Sequence, residues 1–111
     1  MTMKYRGRNG HTVEKLVYGC WEPLPLAPSL KIRNHSPTGF SWGYLGSGPA
    51  QLALALLLDA MDAQTVDEIA DITSEYQNFK TKFVARWHTD GEWEIDAMTI
   101  RDWLFEKGNP L

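Results

Sequence analysis

The chain has 111 residues, of which 43% are apolar, and a formal net charge of −3. These values describe one folded domain over 1–111 and exclude a disordered or strongly basic chain. The lone Cys20 excludes an internal disulfide, and the longest apolar run, Leu52 to Leu58, is far short of the ~20 residues a membrane helix needs.

The N-terminal MTMKYRGRNG is charged and lacks an apolar stretch, so it does not read as a signal peptide. The expectation is a soluble cytoplasmic protein with no membrane contact. Residues 1–58 hold six Lys/Arg against two acids, whereas residues 59–111 hold five against twelve. Halves folded onto opposite sides would make a dipole able to steer a charged partner.

Met3 to Arg8 alternates weakly and runs into Asn9-Gly10, the strongest short hairpin signal. Together with Thr12 to Tyr18 it predicts a β-hairpin over 3–18, with Lys4, Arg6 and Arg8 on one face and Met3 and Tyr5 on the other. Pro23, Pro25 and Pro28 make Cys20 to Pro28 an extended edge segment and argue against a helix there. Leu30 to Asn34 reads as a third short strand. Ser36-Pro37-Thr38-Gly39 is turn chemistry, and Phe40 to Tyr44 reads as a fourth, with Phe40, Trp42 and Tyr44 on one side.

Pro49 suits the first position of a helix capped by Ser47 or Gly48. From Ala50 to about Met61 that helix is apolar on nearly every side, which places it at the centre of the core. Thr65-Val66-Asp67-Glu68 is a capping box opening a short second helix, and Ser74 with Gln77 offers another ahead of a third. There Tyr76, Phe79, Phe83, Val84 and Trp87 recur at helical spacing. Asp90-Gly91 is a turn, and Trp93 and Ile95 bracket an extended piece. Asp96 caps a last helix with Ile100, Trp103 and Leu104 inward, ended by Gly108 and Pro110. The fold class is α+β: a small antiparallel N-terminal sheet, a hairpin plus short strands, packed against three or four helices.

Gly46-Ser47-Gly48 ahead of a helix raises the question of an anion site. A phosphate loop presents backbone N–H groups at a helix start, with a lysine to hold the terminal phosphates. Here Pro49 and Ala50 follow instead, and Pro49 removes one donor. Gly43, Gly46 and Gly48 also lack the dinucleotide spacing. The loop therefore reads first as a tight passage from an aromatic segment into a buried helix. A small-ligand or phosphate site in this region, with or without catalysis, would use Ser36, Gly39, Ser47, Gly48 and Gln51.

The stretch SPTGFSWGYLGSGPAQLALALLLDA, Ser36 to Ala60, resembles the signature of a small, functionally unassigned bacterial family. In that family a YRGR-like start precedes the block, and a Y-x-x-FK-x-x-FVA helix and a final I-x-x-WL follow it. Tyr5–Arg8, Ser36–Asp59, Tyr76–Ala85 and Ile100–Leu104 match in turn, so the similarity spans nearly the whole chain. Leu45 departs from the pattern, which would place glycine there and a barer loop. The resemblance implies a setting on phages, plasmids and integrative elements, and no activity.

The chemistry on offer is thin. Cys20 with His11, His35 or His88 is the only thiol–imidazole combination, and nothing in the spacing brings them together. The histidines lack metal-ligand spacing, and HTDGEWEID reads as a solvated turn and helix start. No catalytic residue, cofactor or metal is assigned. A basic aromatic face holding Arg6 and Arg8 could take single-stranded nucleic acid weakly. The acidic helical half, with Asp67, Glu68 and Asp71, could instead imitate a phosphate backbone and dock on a basic groove of a host or element protein. Trp42 would suit such an interface as an anchor if exposed. The leading expectation is a non-enzymatic accessory protein that binds a protein partner, in its sharpest form an anti-defence inhibitor.

Overall fold

The computed structural model of the chain describes residues 2–108. In chain order these form β1 (Thr2–Arg8), β2 (Thr12–Val17), β3 (Cys20–Pro23), α1 (Ala27–Ile32), α2 (Ser47–Met61), α3 (Val66–Lys82), a single 3₁₀ turn at Val84–Arg86, β4 (Trp93–Asp96) and α4 (Ala97–Gly108). The strands make one antiparallel sheet in the order β3-β2-β1-β4. The α+β class and the hairpin are as expected, with Asn9 and Gly10 both left-handed at the first turn. The second turn is tighter: Tyr18 and Gly19 alone join the paired residues Val17 and Cys20.

The extended piece at Trp93 is a full member of the sheet, pairing with β1 from Lys4 to Gly7. This brings part of the acidic half against the basic hairpin, and Lys4 pairs with Glu94 at 3.7 Å. The two halves of the sequence therefore do not separate into two opposed charged sides.

The core is arranged around α2, whose Leu52, Leu54, Leu56 and Leu57 are fully buried. Each contributes about 1.5–3 kcal/mol relative to exposure. Tyr5 and Val13 close over it from the sheet, Ile72, Tyr76 and Phe79 from α3, and Ile100, Trp103 and Leu104 from α4.

Several elements differ from expectation. Leu30 to Asn34 is no strand, because Ala27–Ile32 is helical. Pro28 sits in the first turn of α1, where its missing N–H has no intrahelical partner to lose, so the prolines start this helix rather than forbid it. Phe40 to Tyr44 is an irregular loop. Phe40 and Trp42 enter the core, but Gly43 turns to a φ of 89° and Tyr44 faces solvent. The start of α2 is Ser47 with Gly46 as its N-cap, so Pro49 is its third residue, still among the N–H groups that need no helical acceptor. The Thr65–Glu68 capping box is present, yet the helix it opens runs to Lys82. With neither glycine nor proline between Val66 and Lys82, Ser74 lies inside one helix rather than at the head of another. Asp96 ends β4 just before α4; Pro110 lies outside the described residues.

Candidate functional site

The glycine-rich block is pinned against the 84–89 segment. Trp42 is fully buried and its Nε1 donates to the His88 carbonyl at 2.9 Å. The Gly43 N–H donates to the Val84 carbonyl at 3.0 Å, and the Thr89 hydroxyl donates back to the Gly43 carbonyl at 3.2 Å. A Cβ on Gly43 would lie 2.7 Å from the Thr89 backbone nitrogen, so this position requires glycine twice over, by conformation and by space. Gly48 is buried, and a Cβ there would overlap the Ser41 hydroxyl.

Gln51 is fully buried, and its amide is saturated by its own chain. Its Oε1 accepts from the N–H groups of His35 at 2.7 Å and Ser36 at 3.0 Å. Its Nε2 donates to the Ser29 hydroxyl at 2.8 Å and the Arg33 carbonyl at 3.1 Å. The Ser36 hydroxyl donates to the Gly39 carbonyl at 2.7 Å. The structure thus brings Ser36, Gly39 and Gln51 together, where their polar groups bind one another and the α1 connection. Ser47 is exposed at the head of α2.

A second constellation was not anticipated from sequence. Asp59, the sole charged side chain of α2, is held at both oxygens. The Tyr5 hydroxyl donates to Oδ2 at 2.6 Å and the Lys15 ammonium to Oδ1 at 3.1 Å. Lys15 and Asp59 side chains are only 17% and 20% exposed, so this ion pair ties β2 to α2 in a setting of reduced screening, while the Tyr5 bond ties β1. Burial, reinforced by the bond to Asp59, pushes the Tyr5 phenol far above its ordinary value and keeps it protonated. A cleft of about 470 Å³ opens beside the pair, lined by Lys15, Glu22, Asp59, Asp62 and Arg101 among others. Arg101 donates to the Ala60 carbonyl at 3.3 Å, satisfying one acceptor at the end of α2. The signal available in the sequence was a carboxylate standing alone in an apolar helix, which demands a buried partner.

The charged faces are unequal. On the hairpin, Arg6 pairs with Glu14 at 2.8 Å and lies over the Trp21 ring at 4.0 Å, so on β1 only Arg8 keeps an exposed charge without an ion-pair partner among the described residues. On α3, Asp67 and Asp71 are exposed and paired with no cation among the described residues. Glu68 differs from them: its carboxylate accepts from the N–H groups of Gln64 and Thr65, and these bonds draw its proton affinity below the usual carboxylate range. Cys20 is exposed, His35 bonds the Tyr76 hydroxyl at 2.7 Å, and among the described residues no three His, Cys, Asp or Glu side chains converge to hold a metal ion. No described helix is long and apolar enough to cross a membrane.

Residues 5–106 match the model of a family of unknown function, DUF6166. The chain belongs to that family. Membership covers the sheet from Tyr5 onward, α1, α2 with its glycine-rich entry, α3 and most of α4, so the Asp59 constellation and the Gln51 clamp both lie within the shared region. Neither the curated proteins nor the solved structures yield a match.

Proposed function

We propose that this DUF6166 chain is a non-enzymatic accessory protein of a bacterial mobile element, acting in the cytoplasm by binding a host or element protein through the acidic face of α3. The single observation that carries the reading is that Asp67 and Asp71 have no cation partner among the described residues, whose ion pairs lie at the sheet. Two carboxylates one turn apart repel each other on an isolated helix and are relieved by a basic surface. The mixed charge of the hairpin, with Lys4 and Arg6 both paired to acids, favours this reading over one in which β1 binds nucleic acid. A partner with a groove built for a phosphate backbone is the best match, and inhibition of a defence nuclease is the sharpest form of the proposal.

The test is a pull-down from nuclease-treated bacterial lysate with wild type and with the Asp67→Lys/Asp71→Lys double variant, read by mass spectrometry. A stoichiometric basic partner should be held by wild type, fall away as salt rises, and be lost by the variant. Glu68 is left intact because it caps α3. Equal capture by both proteins would refute the acidic face.

A further inference from the structure

We infer that the cleft beside Asp59 is a binding site for a small zwitterion, with Arg101 taking the ligand's carboxylate and Glu22 its ammonium. The cleft, at about 470 Å³, is within the size range of small-molecule sites. Its wall is rigid because Asp59 is bonded at both oxygens, to Tyr5 and to Lys15, and these charges cancel. Glu22 stands opposite Lys15 in the β2–β3 register. Lys15, however, is committed to Asp59 at 3.1 Å, which leaves the Glu22 carboxylate without a cation among the described residues. Arg101 places one N–H on the Ala60 carbonyl and has no further acceptor among those residues. Asp62, on the same rim, accepts among the described residues only from the Gln64 amide at 3.3 Å.

Among the described residues, one cleft therefore presents a guanidinium and carboxylates that have no ion-pair partner. A free phosphate would meet repulsion from Glu22 and Asp62, and a simple cation would meet it from Arg101. A molecule carrying both charges answers both. The planar guanidinium fork suits a carboxylate, and a carboxylate accepts readily from an ammonium. The site lies apart from Asp67 and Asp71, so it stands or falls separately from the protein-binding reading.

Calorimetric titration of the full chain with L-alanine, L-glutamine, β-alanine and 4-aminobutanoate tests it, with L-alaninamide and N-acetyl-L-alanine as single-charge controls. At least one zwitterion should bind, and both controls should be weaker by about tenfold or more. Glu22→Gln, at an exposed edge position, should weaken the zwitterion by about tenfold without shifting the melting temperature, and Arg101→Gln should weaken it while Arg101→Lys restores part of the affinity. Absence of heat or shift with all four zwitterions up to about 10 mM overturns the proposal. So does equal binding of the amide or the acetylated form, or indifference to Glu22→Gln.

Discussion

Gln51→Leu separates architecture from ligand binding at the most distinctive part of the chain. The substitution keeps the side chain's approximate size and removes its four hydrogen bonds. The N–H groups of His35 and Ser36 would then face a methyl group, at about 1–2 kcal/mol each. The Arg33 carbonyl lies on an exposed residue, and the Ser29 hydroxyl still donates to the Leu26 carbonyl at 2.9 Å, so these two lose about 0.5 kcal/mol each. The apolar gain of leucine offsets about 1 kcal/mol, leaving a net destabilisation of about 2–4 kcal/mol. Against the usual stability of about 5–15 kcal/mol the variant still folds. With a urea slope near 1.5 kcal/mol/M, the midpoint falls by about 1.3–2.7 M, read by tryptophan fluorescence. Amide exchange at His35 and Ser36 should accelerate beyond the global effect, because the 29–36 connection is released first. A loss below about 1 kcal/mol with an unchanged slope would refute the clamp.

Gly43→Ala combines a φ of 89° with a Cβ placed 2.7 Å from the Thr89 nitrogen, and should cost about 3–5 kcal/mol in thermal or chemical unfolding. Tyr18, left-handed at a φ of 50° and 83% exposed, has conformational cost and little burial to offset it; Tyr18→Asn should stabilise by about 1 kcal/mol, seen as a higher melting temperature. Glu68 has a folded-state proton affinity drawn below its unfolded value, so its contribution is present above the ordinary carboxylate range and is lost as pH falls through the folded value. Unfolding curves of Glu68→Gln should therefore approach those of wild type in acid. Tyr5 is shifted the other way, so its bond is whole below pH about 10 and drains above it. Tyr5→Phe should lose about 1.5–3 kcal/mol at neutral pH, with the gap to wild type narrowing in alkali.

The parts of the fold legible in the sequence are those fixed by strong local rules. Asn9-Gly10 set the hairpin, the Thr65–Glu68 box set the start of α3, and the Ala/Leu run marked α2 as the core helix. The misreadings came where a local rule has two outcomes. Proline closes a helix interior but opens a first turn; three prolines in so short a stretch suggest the first rule, while Pro28 follows the second. Phe40 and Trp42 alternate as a strand would, yet Gly43 gives its N–H to Val84, a partner forty-one positions away that no window of sequence reveals. The Asp59 constellation is long-range in the same sense, since Tyr5 and Asp59 are separated by fifty-four positions. Only the isolation of that carboxylate in α2 was visible beforehand.

The signature block is the least generic stretch of the sequence, and that property invites a functional reading of it. Its side chains argue otherwise. Trp42 spends its indole N–H on His88, Gly43 is demanded by the Thr89 backbone, Gly48 packs against the Ser41 side chain, and Gln51 satisfies four groups of its own chain. A group whose hydrogen-bonding capacity is filled internally must break those bonds before it can hold a ligand, and in a buried position that exchange is costly. Charges left without an ion-pair partner among the described residues carry less of this penalty, and they lie elsewhere: Asp67 and Asp71 on α3, and Glu22 and Arg101 beside the cleft, where Arg101 spends one N–H on the Ala60 carbonyl. Asp59, the last residue of the matched block, links the two regimes. Its bonds to Tyr5 and Lys15 serve the fold, and by removing Lys15 from Glu22 they leave the cleft with the charges that make it a candidate site.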